Sequence, residues 1–212
     1  MTKIFDDLYQ FTSYIPPIDL TFHQYLLNID EPMLIHTGNM KHVEKLIPQI
    51  KNILRGKELK YIFISHFESD ECGGLGVILK EFPQAKVISS EVTARQLEGF
   101  GIADDVLIKN PRDKMTIGES KFEFISYPSE MHLWEGLLLF DLKRAILFSS
   151  DLMIRFGNSG EKILENTLGK ELARITNEQI PNTEKREKII SDLKKLNIKF
   201  IATGHGECIK IV

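Results

Sequence analysis

The chain is poor in cysteine, in tryptophan, in net charge and in long apolar runs. Two cysteines, Cys72 and Cys208, cannot build a disulfide framework, so a reducing, cytoplasmic setting is expected. A formal net charge of -3 gives no electrostatic reason to expect a nucleic-acid partner. The Lys-rich stretch 185–195 carries interleaved Glu and Asp and reads as a solvated helix face. No apolar run approaches the length of a membrane span. The start, Met1-Thr2-Lys3-Ile4-Phe5-Asp6-Asp7, is acidic and without an apolar core, unlike a signal peptide. A Gly-rich phosphate loop after a strand is also missing, because Gly73-Gly74-Leu75-Gly76 belongs to a different feature.

What remains fits one globular domain spanning 1–212, with 42% hydrophobic and 27% charged residues. Short apolar runs alternate with helical patterns. Strands are expected at 21–29 and 32–36, paired around Asp30-Glu31-Pro32, and again at 60–65 and 85–89. Further strands are expected at 121–127, 137–141, 145–148 and 199–202. Helices are expected at 41–53, after Ser90 as N-cap, at 160–178 and at 183–196. Strand–helix units mixed with hairpins argue for a layered α/β sandwich.

The chemistry concentrates in His66-Phe67-Glu68-Ser69-Asp70-Glu71-Cys72-Gly73-Gly74, where four metal-capable side chains occupy six positions. The stretch follows the apolar run Tyr61-Ile62-Phe63-Ile64. Residues two apart on an extended chain point the same way, so His66, Glu68 and Asp70 can converge. Three other turns offer donors. His132 lies in Pro128-Ser129-Glu130-Met131-His132-Leu133-Trp134, Asp151 ends Ala145-Ile146-Leu147-Phe148-Ser149-Ser150, and His205 stands in Thr203-Gly204-His205-Gly206. Each alone has a bland reading as a turn, cap or surface residue.

In that order these residues resemble the metallo-β-lactamase superfamily, whose loop runs His-x-His-x-Asp-His. They are most similar to its flavodiiron branch, in which the second His is Glu, as at Glu68. The resemblance runs from the strand of Tyr25 to Gly206. It implies a four-layer αββα sandwich and a site for two iron ions. By that resemblance His66, Glu68 and His132 hold one iron, Asp70, Glu71 and His205 the other, and Asp151 bridges them. It further implies dioxygen or peroxide as the ligand of the irons, and an electron-donor or signalling protein in trans. Flavodiiron cores work as head-to-tail dimers, which makes a homodimer a further expectation.

Two departures matter. Glu71 stands where the motif has its final His, and the chain ends shortly after His205, so no FMN-binding flavodoxin domain is expected. Both features resemble the stand-alone oxygen-binding di-iron proteins, associated with oxygen sensing in chemotaxis. Carboxylates in place of imidazole favour harder ions, hence iron over zinc. Two ferrous ions neutralise Glu68, Asp70, Glu71 and Asp151, and so do two ferric ions carrying a doubly reduced dioxygen. A His at position 71 would leave one positive charge in both states. Glu71 has a second reading as a helix-capping acid.

His36 stands where the superfamily often has Asp, and it is a candidate for a hydrogen bond to a ligand or a plain turn residue. Phe67 and Trp134 are candidates for the pocket wall, and Glu130 for a carboxylate behind His132. Cys72 and Cys208 read better as small buried residues than as a redox pair. The competing functions are a zinc hydrolase of the same fold and a silent interaction module.

Overall fold

The protein is described by a computed structural model over residues 1–129 and 134–212, without the side chains of Ser129 and Trp134. The chain divides into two compact units, Met1–Ser13 with Phe22–Lys109, and Tyr14–Thr21 with Asn110–Val212.

Seven strands pair in sequence order in the sheet of the first unit: β1 Thr2–Phe5, β2 Leu8–Ile15, β3 Leu20–Leu27, β4 Met33–Ile35, β5 Tyr61–Phe63, β6 Lys86–Ser89 and β7 Val106–Ile108. β3 and β4 are antiparallel, with Tyr25 opposite Ile35, while β4 to β7 are parallel throughout. Parallel neighbours require crossovers, and helices supply them. These are α1 Val43–Leu54, α2 Ser69–Cys72, α3 Leu75–Glu81 and α4 Glu91–Gly99. Leu46, Ile50 and Ile53 of α1, Leu75 and Ile78 of α3, and Leu97 of α4 form one core with Leu34, Ile62 and Val87. Each such side chain contributes about 1.5–3 kcal/mol on burial. Successive residues Met33, Leu34 and Ile35 are all buried, which is why β4 reads as continuous rather than alternating.

The second sheet also has seven strands, in the order β12-β14-β13-β11-β10-β9-β8. They are β8 Lys114–Ile117, β9 Ser120–Ser129, β10 Trp134–Asp141, β11 Ile146–Ser150, β12 Ile163–Asn166, β13 Phe200–Thr203 and β14 Cys208–Ile211. Its helices are α5 Leu168–Leu172 and α6 Thr183–Lys194. Ile189 and Leu193 of α6 and Leu172 of α5 pack with Leu138, Leu147 and Ile201 of the sheet. β11 and β13 lie side by side and parallel, Leu147 opposite Ile201, so their carboxyl ends come out together.

The expected strands at 21–29, 32–36, 60–65, 85–89, 121–127, 137–141, 145–148 and 199–202 all exist, with ends shifted by a few residues. Ser90 caps α4 as expected, its Oγ accepting from the Thr93 N–H at 3.2 Å. The helix expected over 160–178 is a correction. Residues Ile163–Asn166 form β12, parallel to β14, and only Leu168–Leu172 is helical. An edge of β14 was available to pair with, and tertiary pairing overrides a weak local helix pattern. β1, β2, β7, β8 and β14 carry no strong pattern of their own and went unread.

Candidate metal centre

The first donor group grows from the carboxyl end of β5, the edge at which parallel sheets present their ligands. Ile64 N–H donates to Ile88 O and His36 N–H to Phe63 O, each at 2.9 Å, so the chain leaves the sheet at a fixed point. His66 is fully buried, and its Nδ1 shares a hydrogen bond with Ser65 Oγ at 3.0 Å. Its Nε2 faces Glu68 Oε2 at 3.2 Å and Glu71 Oε2 at 3.8 Å. Donor atoms of these three residues lie within 4.8 Å of one another, the span of a metal's coordination sphere.

Local structure explains how carboxylates three apart share one imidazole. Glu68 is extended, with φ -140° and ψ 160°, and serves as N-cap of the single turn α2. Asp70 and Glu71 follow inside that turn, where the helix dipole favours negative charge. The turn is clasped from outside: the Thr37 N–H and Oγ1–H both donate to Glu71 O, at 2.7 and 3.0 Å, and Gly74 N–H to Gly38 O at 2.7 Å. A Cβ on Gly74 would lie 2.7 Å from Val43 Cγ2 and 2.8 Å from Thr37 O, so the close approach requires glycine.

The second donor pair stands at the ends of β11 and β13. Asp151 follows β11 directly, and His205 comes two residues after β13. Gly204 N–H donates to Ser150 O at 2.8 Å, joining the two turns. His205 Nδ1 lies 3.0 Å from Thr21 O, which can only accept, so Nδ1 carries the proton. In the neutral ring the Nε2 lone pair then points at Asp151 Oδ1, 3.1 Å away. Two electron-rich atoms at that distance need a cation between them, either a proton or a metal ion. Buried imidazole beside carboxylate is a donor set that fits iron.

The remaining candidates fall out unevenly. His132 and Glu130 lie outside the described residues, as does the side chain of Trp134 at the start of β10. His36 is buried with φ 62° and stacks on Phe63, ring centroids 6.4 Å apart. Phe67 is half-buried and stacks on the exposed Phe100 at 5.2 Å. Cys72 and Cys208 are both free thiols and both buried. Burial pushes the Cys72 thiol up to about 12, and its Sγ donates to Glu68 O at 3.1 Å. It belongs to the apolar core. Sequence reasoning missed Ser65, Thr37 and Thr21. Thr37 follows His36 directly and precedes Gly38, whereas Thr21 is 184 positions from His205 and gave no signal.

Mixed imidazole and carboxylate donors on two mixed sheets define a metal-binding protein of the metallo-β-lactamase type. A family profile described as ODP family beta lactamase matches residues 20–206, and the chain belongs to that family. A diflavin flavoprotein of Nostoc sp. is 27% identical over 88% of this chain and 33% of its own length. The nitric oxide reductase of Moorella thermoacetica is 24% identical over 88% of this chain and 49% of its own. The chain thus spans about half or less of the curated relatives it matches. Among solved structures, the flavodiiron protein of Giardia intestinalis superposes with a TM-score of 0.80 at 16% identity, covering 98% of this chain and 55% of that one. Rubredoxin oxygen:oxidoreductase from Desulfovibrio gigas gives 0.82 at 18%, covering 99% and 57%. The fold is that of the flavodiiron core.

Proposed function

We propose that this chain is a non-haem di-iron protein that binds dioxygen. It takes electrons from a partner protein to reduce dioxygen or nitric oxide slowly, or it reports oxygen to a signalling partner such as a chemotaxis receptor complex, in the cytoplasm. The observation that carries the reading is the donor set itself: His66 between Glu68 and Glu71, and His205 with its lone pair on Asp151. A hydrolytic zinc site is richer in imidazole, because added carboxylate charge weakens the acidity of a metal-bound water. The names of the relatives, a nitric oxide reductase and an oxygen oxidoreductase, support the same direction.

In this proposal residues 1–212 act as one domain. His66, Glu68 and His132 would hold one iron, Asp70, Glu71 and His205 the other, and Asp151 would serve both. Iron supplies one-electron steps and open coordination positions for a diatomic molecule. The chain supplies the rest. Ser65 orients the His66 ring through Nδ1, and Thr21 keeps the His205 proton on Nδ1 so that Nε2 is free to ligate. Burial of His66, Glu71, Asp151 and His205 excludes water from the donors.

Reconstitution with ferrous iron under nitrogen, followed by metal analysis and an oxygen titration read by ultraviolet–visible absorption, tests the reading. Two irons per chain and an oxygen-dependent band are expected. A site that takes only zinc and shows no such band overturns it in favour of the hydrolase.

A further inference from the structure

Arg155 lies four residues beyond Asp151, and its guanidinium Nη2 reaches both carboxylate oxygens of Glu171, at 2.7 and 2.6 Å. Glu171 is fully buried and also accepts from Asn166 Nδ2. The Arg155 side chain is 12% exposed. Taking both charges out of water is costly, and apolar residues of equal volume often stabilise a fold as well. Stability alone therefore does not account for the pair. Its placement does.

The turn carrying Asp151 is strained on both sides. Ser150 has φ 49° and Met153 has φ 67°, neither being glycine. A left-handed residue that carries a side chain is strained and persists only where its surroundings over-determine it. Arg155 Nη1 donates to Met153 O at 3.4 Å, and Arg174 Nη2 to Ile154 O at 2.9 Å. Arg155 is also the wall against which the His205 turn closes. A Cβ on Gly206 would lie 2.5 Å from Arg155 Cβ and 2.9 Å from Arg155 O. One residue thus touches the turn of each donor, and those donors meet at 3.1 Å. Metal–ligand distances tolerate errors of only about 0.2 Å.

We propose that Arg155, locked by Glu171, is a positioning residue that holds the Asp151 turn against the His205 turn so that both donors close on one metal ion. The inference rests on the reading of Asp151 and His205 as ligands. Arg155 touches neither donor side chain's metal-facing atom in this role. It acts through backbone placement.

Anaerobic titration with Co(II), read by calorimetry and by the visible spectrum of the bound ion, tests it on the full chain. The double variant Arg155→Met with Glu171→Met removes the pair without stranding a charge. It is expected to keep its circular dichroism and to bind Co(II) about ten-fold or more weakly in at least one of the two steps, with an altered spectrum. Arg155→Lys keeps the charge but cannot reach the Glu171 carboxylate and Met153 O at once, and is expected to fall between parent and double variant. It stands as the decisive variant if the double one fails to fold. Parent-like affinities and spectra in either folded variant overturn the proposal. His205→Ala separates the two layers: it is expected to lose one Co(II). If it retains both, the ligand reading itself has failed; if it loses one while the Arg155 variants keep both, only the positioning role has.

Discussion

The backbone carbonyl of Glu71 accepts from both the amide and the hydroxyl of Thr37, at 2.7 and 3.0 Å, and this pair of hydrogen bonds ties the donor turn α2 to the segment preceding α1. Both residues are buried, so neither contact is exchanged for water. The first prediction follows from this contact. Thr37→Val keeps the shape and the amide bond but strands one acceptance, and it is expected to lower stability by about 0.5–1.5 kcal/mol. Urea unfolding of the metal-free protein measures it. A larger loss in the iron-loaded protein than in the metal-free one would show that the clasp also serves the metal.

Glu71→Gln keeps the volume and removes the charge. An amide is a poor substitute for a carboxylate toward iron, so the variant is expected to retain about one iron where two are proposed for the parent. The iron-to-protein ratio after desalting decides it. An unchanged ratio assigns Glu71 to the helix turn alone.

Glycines 74 and 76 are close in sequence and opposite in expectation. A Cβ at Gly74 meets Val43 Cγ2 and the Thr37 carbonyl, whereas at Gly76, inside α3, it meets nothing within 4 Å. Gly74→Ala is expected to destabilise by about 1–3 kcal/mol, as overpacking does. Gly76→Ala is expected to stabilise by up to about 1 kcal/mol through helix propensity. Thermal unfolding of the pair checks both signs at once.

Asp192 is bracketed by Lys188 at 2.8 Å and Lys195 at 3.2 Å, and hydrogen bonding to Lys188 leads the causes that hold its carboxyl below its ordinary value. A carboxylate whose folded value is depressed stabilises the protein above its unfolded value and loses that contribution as pH falls through the folded one. Asp192→Asn is therefore expected to cost about 0.2–1 kcal/mol at neutral pH, reduced by salt, and nothing once the parent carboxyl is protonated. Denaturation midpoints of parent and variant across acidic pH measure the convergence.

Cys72 and Cys208 are 2% and 1% exposed. Native protein is expected to react slowly with an aromatic disulfide reagent, and both thiols promptly after denaturation. Rapid native labelling of either would contradict their place in the core.

Much of the donor set was legible because ligation needs particular side chains at strand ends, and strand ends are marked by apolar runs that stop. His66, Glu68, Asp70, Glu71, Asp151 and His205 were each picked out as candidates this way. The strand β12 was not, because Ile163–Asn166 becomes extended only by pairing with β14, more than forty residues later. The same holds for Thr21, whose carbonyl sets the tautomer of His205, and for Arg155, whose role depends on Gly206 and Glu171.

By itself the sequence determined the kind of side chains on offer: carboxylate-rich candidate donors at strand ends, followed by Gly73-Gly74. Tertiary structure decided which donors face each other, which ring nitrogen carries the proton and what clamps the strained Asp151 turn. Local patterns encode side-chain type and direction. Distances of 3 Å between residues far apart in the chain come only from how the strands are ordered and packed.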